Sequence, residues 1–236
     1  MIFGAILAGG TGSRMNISDM PKQFLPLGEK PIVIHTLEKF LLCDQFDAVY
    51  IGVHPSWVTH MQDLVGTYVN TQKKIVVVPG GADRNQTILN IIEGIERDYG
   101  ESDEHIIVTH DAVRPFITMR IINDNIAAAK AYGACDTVTP AIDTIVRSED
   151  GQLISDIPDR RRMYQGQTPQ SFRMSLLKEL YLSLNEQEKE MLTDACKICV
   201  VRDRPVHLVE GEISNLKITT ISDYKIAQAM LGGIGE

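Results

Sequence analysis

Met1-Ile2-Phe3-Gly4-Ala5-Ile6-Leu7-Ala8-Gly9-Gly10-Thr11-Gly12-Ser13-Arg14-Met15 opens the chain and decides its fold class. Ile2–Ala8 is apolar without alternation, as a strand buried on both faces requires. It lacks a basic leader and its apolar run is short, so it does not read as a signal peptide. Glycines follow directly, where backbone N–H groups can approach an anion or a base closely. No Gly-Lys-Ser/Thr follows, so this is not a Walker loop. After Gly10-x-Gly12 the third glycine position of a dinucleotide fingerprint holds Met15. The plain alternative is a flexible βα turn; Arg14, a cation beside the amides, favours phosphate.

Outward from that strand, apolar runs and helical patterns alternate. Pro31 can begin a helix over Ile32–Leu42, with Leu37, Phe40 and Leu41 on one face. Ala48–Val53 is strand-like and Ser56–Val69 helical. Lys74–Val78 is a β-branched run closed by Pro79-Gly80-Gly81, and Gln86–Tyr99 carries Ile88, Ile91, Ile92 and Ile95 at helical spacing. His105–Thr109 is another buried strand; Thr118 can cap Met119–Tyr132, and Gly133 ends it. This rhythm predicts an α/β domain with a mostly parallel sheet and helices on both faces. After Thr137 it breaks. Val138–Ile157 reads as strand-rich, with Glu149-Asp150-Gly151-Gln152 as a hairpin turn, and suggests an arm leaving the sheet. Helices are expected at Met174–Leu184, around Asp194–Val201 and at Asp223–Leu231, and strands at Val206–Val209 and Leu216–Thr219.

Composition bounds the partners. The 236 residues suffice for one domain with a full core. Acidic residues number 31 against 23 basic, a net charge of −8. That balance speaks against coating nucleic acid. No apolar stretch reaches about 18 residues, so no membrane helix is expected. Four cysteines make no disulfide framework, and the cytoplasm is the expected compartment.

Ligands of such sheets gather where strands end. The second notable loop is Pro21-Lys22-Gln23-Phe24-Leu25-Pro26-Leu27, stiffened by two prolines. Lys22 is either a surface lysine or, given the rigid loop and the nearness of Arg14, a phosphate contact. The third, Pro79–Thr87, again follows a strand and opens a helix; Asp83, Asn85 and Thr87 can read the edges of a base or cap the helix. The fourth is His110-Asp111-Ala112-Val113-Arg114-Pro115. An aspartate at the end of a buried strand is placed to hold Mg²⁺ bridging phosphates. His110 reads as packed or hydrogen-bonded. Cys196-Lys197-Ile198-Cys199 has no second pair to complete a zinc site and reads as two structural thiols. No Gly-x-Ser-x-Gly elbow or His-Glu-x-x-His motif occurs.

Together these loops, with Thr168-Pro169-Gln170 and Asn215-Leu216-Lys217-Ile218-Thr219, resemble the small-molecule cytidylyltransferase family over essentially the whole chain. The family includes enzymes acting on ribitol 5-phosphate and on methylerythritol phosphate. The resemblance implies a Rossmann-like three-layer nucleotidyltransferase fold, one domain over 1–236, with a protruding β-arm at about 141–158 that makes a homodimer. It implies that Leu7, Ala8, Gly9 and Gly10, with Gly81, Ala82, Asp83, Arg84, Asn85, Gln86 and Thr87, cradle CTP, and that Ala112 lies nearby. Asp111 would coordinate Mg²⁺. Arg14 and Lys22 would stabilise the transition state. Arg160 and Lys217 would hold the acceptor's phosphate, with Arg114 and Thr144 close to it.

Within the family, members acting on methylerythritol phosphate have Ala-Ala-Gly where this chain has Leu7-Ala8-Gly9-Gly10. They also carry an acidic residue before Asn-Ile-Lys, where this chain has Ser214. The motifs look most like the ribitol 5-phosphate branch, which makes CDP-ribitol for teichoic acid or capsule polymers. The alternative is the same transfer to 2-C-methyl-D-erythritol 4-phosphate. A nucleotide-binding regulator without catalysis would have to lack one of these cations or the metal ligand. A nicotinamide-dependent dehydrogenase would need the missing glycine fingerprint.

Overall fold

The apolar opening forms strand β1 (Ile2–Ala8), followed by a short ribbon of β2 (Pro26–Leu27) and β3 (Lys30–Pro31) and by helix α1 (Ile32–Leu41). The computed structural model describes residues 1–10 and 20–233. β4 (Ala48–Val53), α2 (Val58–Tyr68), β5 (Lys74–Pro79), α3 (Arg84–Tyr99), β6 (Ile106–Asp111) and α4 (Met119–Tyr132) continue the alternation. β7 (Ala134–Pro140) and β8 (Tyr164–Arg173) flank the arm. α5 (Met174–Leu182), α6 (Glu186–Glu190), α7 (Cys196–Val201), β9 (His207–Glu210) and α8 (Ile221–Gly232) complete the chain.

Seven strands make one sheet in the order β5-β4-β1-β6-β8-β7-β9. It is mostly parallel, as expected; β8 alone runs against its neighbours β6 and β7. No α-helix joins β7 to β8, only a single 3-10 turn over Arg160–Arg162, and a return without a crossover helix produces an antiparallel pair. β8 was not anticipated from the sequence, because only its Thr168-Pro169-Gln170 drew notice. Its Pro169 and half-exposed start mask a strand pattern.

β1 is buried on both faces. Ile2 and Ile6 join the core under α1, α2 and α4, with Leu37, Phe40, Met61 and Ile126. Phe3 and Ala5 join the core under α3, α5 and α7, with Ile88, Ile92, Leu177 and Ile198. Each large apolar side chain so buried contributes about 1.5–3 kcal/mol. At Gly52 on β4 a Cβ would collide with Thr87 and Ile91. The bare backbone lets α3 lie close to the sheet and brings Thr87 to the strand ends. Thr118 caps α4 by accepting from Ile121 N–H, and Gly133 ends it with φ 85°, both as expected.

Two expectations need correction. Beyond Pro140 the arm has no regular strand, only one antiparallel bridge between Arg147 and Asp156. The turn itself is present: Gly151 has φ 72°, and Asp150 Oδ1 accepts from the N–H groups of Gln152 and Leu153. An isolated two-stranded ribbon is marginal without a surface to pack on, and Leu153, Ile154 and Ile157 are exposed. Leu216–Thr219 is likewise not a strand. Among the described residues its backbone bond to the body is Ile218 N–H to Val113 O. Ile218 turns into a small core with Leu25, Leu27, Val113 and Ala227, so the segment crosses the sheet's end instead of extending it.

On the α3 face, pairing aligns Ile107, Phe172 and Ala134 in one buried row, and Thr109, Gln170 and Asp136 two residues further on. Gln170 Nε2 donates to Asp136 Oδ1 at 3.1 Å. Burial lifts the Asp136 carboxyl to about 7; Asp194 adds to the rise, while the Gln170 amide, Arg84 and Arg114 oppose it. Raised above its unfolded value of about 4, this group makes the native state bind more protons between the two values. Stability therefore falls as pH rises through that window. Asp136→Asn should gain on the wild type in urea unfolding as pH is raised from about 4 to about 8. A constant difference across that range would show that Asp136 titrates normally.

Candidate active site

A cavity of about 390 Å³ opens where β1 and β6 end. Leu7, Ala8, Gly9 and Gly10 form one wall; Gly81, Ala82, Asp83, Arg84 and Thr87 form another. Asp111, Ala112 and Val113 make the floor, and Lys22, Gln23, Lys217 and Thr219 the rim.

Buried Gln23 fixes the glycine loop. Its Nε2 donates to Ala8 O at 2.6 Å and Gly10 O at 3.0 Å. Those two bonds occupy the carbonyls of Ala8 and Gly10. Phe24 anchors the same segment against Trp57 and His60, with ring centroids 5.2 and 4.9 Å away, so Lys22 sits on a braced loop. Across the cavity, Asp83 Oδ1 caps α3 by accepting from Gln86 N–H at 2.8 Å. Thr87 Oγ1 accepts from Gly81 N–H at 3.0 Å and donates to Asp83 O at 2.8 Å. Capping is thus one function of this loop, and it leaves the loop facing the cavity.

Asp111 is the electrostatic centre. Lys217 Nζ lies 2.9 Å and Arg114 Nε 3.5 Å from Oδ2, and Arg84 Nε lies 3.6 Å from Oδ1. Burial pushes the carboxyl up, but Arg84, Lys217 and Arg114 outweigh it and hold the group well below the usual range. It is ionised at any working pH. Nη1 and Nη2 of Arg84 are buried without a hydrogen-bond partner among the described residues. Buried unpaired guanidinium donors beside a cavity suit a phosphate.

His110 supports this centre from behind. Its Nε2 lies 3.1 Å from Arg114 O, which can only accept, so Nε2 carries the proton. Nδ1 then accepts from the Thr168 hydroxyl at 2.9 Å, and Thr168 Oγ1 in turn accepts from Asp111 N–H at 3.1 Å. Burial pushes the imidazole down to about 4, so it stays neutral. This is the packed, hydrogen-bonded histidine the sequence suggested. Asn215 ties the crossing segment in: its O accepts from Arg114 Nη1 at 2.7 Å, and its Nδ2 donates to Thr168 O at 2.8 Å.

The cavity thus gathers most of the residues expected to bind nucleotide, together with Lys22, Asp111 and Lys217. Asn85 is buried behind the wall, and Gln86 turns to Asn90. Arg114 touches Asp111 from below the floor. Arg160 and Thr144 lie on the arm and do not line this cavity; Arg160 Nη1 donates to Ile142 O at 2.6 Å. Arg14 lies outside the described residues. Sequence reasoning missed Gln23, Val113, Thr219 and the supporting Thr168 and Asn215. Their signals were Gln23 lying between two prolines, and Thr168, Asn215 and Thr219 lying in family-like stretches whose roles were not assigned.

Arg84 Nε stands 3.6 Å from Asp111 Oδ1, beyond hydrogen-bond distance, so this pair leaves the oxygen lone-pair room for a metal bond. Mg²⁺ is commonly held by one or two carboxylates with substrate phosphates supplying further ligands, and this donor set fits that pattern. Among the described residues no group of three His, Cys, Asp or Glu side chains is placed to hold a metal. All four cysteines are unpaired and buried. Burial pushes Cys135 up to about 12, Cys199 to about 11 and Cys196 well above its usual value, as inert structural thiols require.

A parallel sheet ending in a glycine loop, a capped second loop and a cation-ringed aspartate is the architecture of an α/β nucleotidyltransferase. The sequence matches the family model of 2-C-methyl-D-erythritol 4-phosphate cytidylyltransferase (IspD) over residues 2–233, and the chain belongs to that family. It is 55% identical over 232 residues to the ribitol-5-phosphate cytidylyltransferase of Streptococcus pneumoniae serotype 2 strain D39, covering 98% of this chain and 99% of the relative. The serotype 4 strain TIGR4 protein of the same name is equally similar. Among solved structures, the 4-diphosphocytidyl-2C-methyl-D-erythritol synthase of Anaerococcus prevotii superposes with a TM-score of 0.80 at 27% identity, covering 98% of this chain and 96% of that one. The Francisella tularensis 2-C-methyl-D-erythritol 4-phosphate cytidylyltransferase shares the fold, with a TM-score of 0.80 at 24% identity over 97% and 98% of the two chains.

The Thr168 bridge yields a prediction. Thr168→Val leaves Asp111 N–H and His110 Nδ1 without their partner and should cost about 1–3 kcal/mol in chemical unfolding. Thr168→Ser should recover most of it. Equal stability of the valine and serine variants would refute the bridge.

Proposed function

We propose that this chain transfers CMP from CTP to D-ribitol 5-phosphate, releasing pyrophosphate and forming CDP-ribitol. The 55% identity to a ribitol-5-phosphate cytidylyltransferase across nearly the whole of both chains carries this reading. Leu7-Ala8-Gly9-Gly10 and Ser214 support it, standing where the methylerythritol branch has Ala-Ala-Gly and an acid. The Ser214 hydroxyl donates to Glu212 Oε2 at 3.1 Å, so that position holds a neutral side chain already engaged.

An oxygen of the acceptor's phosphate attacks the α-phosphorus of CTP. A new P–O bond forms and the bond to the β-phosphate bridging oxygen breaks. No protein nucleophile is needed, because the acceptor's phosphate is one. Two anions must meet, and unit charges about 4 Å apart at an effective dielectric near 20 repel by roughly 4 kcal/mol. Lys22 stabilises the transition state, as the resemblance assigns also to Arg14, and Arg84 meets the triphosphate. Lys217 and Arg114 hold the acceptor's phosphate; Arg160 and Thr144, which the resemblance also assigns to it, stand outside the cavity of the single chain. Asp111 would hold Mg²⁺ through Oδ1; when bound, the ion neutralises phosphate charge. Leu7–Gly10, Gly81–Thr87 and Ala112 enclose the nucleotide.

The arm at about 141–158 would make a homodimer. Its exposed Ile142, Val146, Leu153, Ile154 and Ile157 form the kind of apolar surface that a partner covers. The enzyme would act in the cytoplasm and supply CDP-ribitol to teichoic acid or capsule synthesis. The family model and the solved relatives favour 2-C-methyl-D-erythritol 4-phosphate as the second acceptor to test.

Pyrophosphate release is measured with CTP, Mg²⁺ and each acceptor separately. Turnover with ribitol 5-phosphate is expected; turnover with methylerythritol phosphate alone would transfer the reading to that acceptor. Lys22→Ala should lower kcat by roughly 10²–10³ while leaving the thermal unfolding midpoint unchanged. Full activity in that variant would remove Lys22 from transition-state stabilisation.

A further inference from the structure

Lys22 lines the same cavity as Arg84, Lys217 and Asp111, and Arg114 touches Asp111 from below. Three cations around one carboxylate leave an excess of positive charge, which repels a fourth cation. A lysine carries its ammonium on a flexible four-carbon stem, so a braced backbone does not by itself fix the charge.

A carboxylate stands at the cavity rim on the α8 side. Asp223 Oδ2 accepts from Thr219 N–H at 2.9 Å and from Thr220 N–H at 2.7 Å. Its own N–H donates to Thr220 Oγ1 at 3.2 Å. Thr219 lines the cavity together with Lys22, so the carboxylate is tied to the rim by backbone. Helix α8 is tied in turn to the loop that carries Lys22. The Tyr224 hydroxyl donates to Pro26 O, and Ala227 packs with Leu25 and Leu27. Burial pushes the Asp223 carboxyl up, but Thr219, Thr220 and the Lys22 ammonium outweigh it and hold the group below its usual range. Holding two N–H groups needs only an acceptor oxygen, which an amide supplies as well. The helix dipole favours an acid in this first turn too, so cap and charge have to be separated by experiment.

We propose that Asp223 is a positioning residue: its carboxylate, pinned at the cavity rim, holds the Lys22 ammonium over the cavity against the repulsion of the cations at Asp111. This rests on the proposed nucleotidyl transfer, in which Lys22 stabilises the transition state. Charge fixed in advance needs no reorganisation at the moment of reaction. Asp223 and Lys217 lie on one continuous stretch of chain, so the same backbone sets the acceptor-side cation and the transition-state cation.

The test is a double-mutant cycle on pyrophosphate release with CTP, Mg²⁺ and ribitol 5-phosphate. Asp223→Asn removes the charge and keeps an acceptor. Asp223→Glu keeps the charge, and glutamate is the usual third residue of a capping box. Each is made in wild type and in Lys22→Ala. Asp223→Asn should lower kcat about threefold to tenfold, with both KM values and the thermal unfolding midpoint unchanged. Asp223→Glu should recover most of the loss. In Lys22→Ala the asparagine change should have no further effect, because residues that act through one another are not additive. Equal losses in both backgrounds overturn the inference, since Asp223 would then act without Lys22. Unchanged kcat in folded Asp223→Asn overturns it as well. So does a lowered unfolding midpoint with both KM values raised, the mark of a cap alone. A wild type inactive with ribitol 5-phosphate overturns the proposed acceptor, and the cycle is then read with methylerythritol phosphate. No turnover with either acceptor overturns the reaction and the inference together.

Discussion

Three cations from three parts of the chain converge on the buried carboxylate of Asp111. Arg84 comes from the start of α3, Arg114 from the loop after β6, and Lys217 from the segment crossing the sheet's end. Without the carboxylate the cations would repel one another in a partly dehydrated space. With it they are held ready for phosphate, and little reorganisation remains when a polyanion arrives. The carboxylate is itself held by backbone: Asp111 N–H reaches Thr168, Thr168 reaches His110, and His110 reaches Arg114 O. β8, the antiparallel strand of the seven-stranded sheet, contributes Thr168 to these bonds, so the departure from the parallel rhythm supports Asp111.

A chain of net charge −8 must concentrate positive potential to bind nucleotide and phosphate together. The ring around Asp111 and the braced Lys22 do this inside a cavity with low-dielectric walls, where field lines are focused. On one sheet face Ile107, Phe172 and Ala134 stabilise the core, while the adjoining row of Thr109, Gln170 and Asp136 buries an amide oxygen without a partner among the described residues.

The β-α order, the capped helices and the two nucleotide-facing loops were legible because each rests on local chemistry: apolar runs, Thr118 and Asp83 at helix starts, Gly133 at a helix end. Lys217 stood out through the family resemblance, and the structure places it at the rim of the cavity. Its contact with Asp111 was not legible, because the two residues are far apart in sequence and meet only when the segment over 215–219 crosses the sheet. That segment looked like a strand since apolar Leu216 and Ile218 alternate with polar Lys217 and Thr219. Ile218 spends its apolarity on a small core beside α8 instead. The arm misled in the same way: apolar residues that suggest strands are exposed on a single chain.

By itself the sequence determined the α/β class, the ends of most elements and the residue types offered at each strand end, because these follow from periodicity and capping within a few residues. Tertiary structure decided what those ends face. Strand order set Asp111 between the two nucleotide loops, and close approach at Gly52 drew Thr87 in. Cross-strand register placed Thr109, Gln170 and Asp136 in a line. Register and crossing depend on contacts between residues tens of positions apart, and no local pattern encodes them.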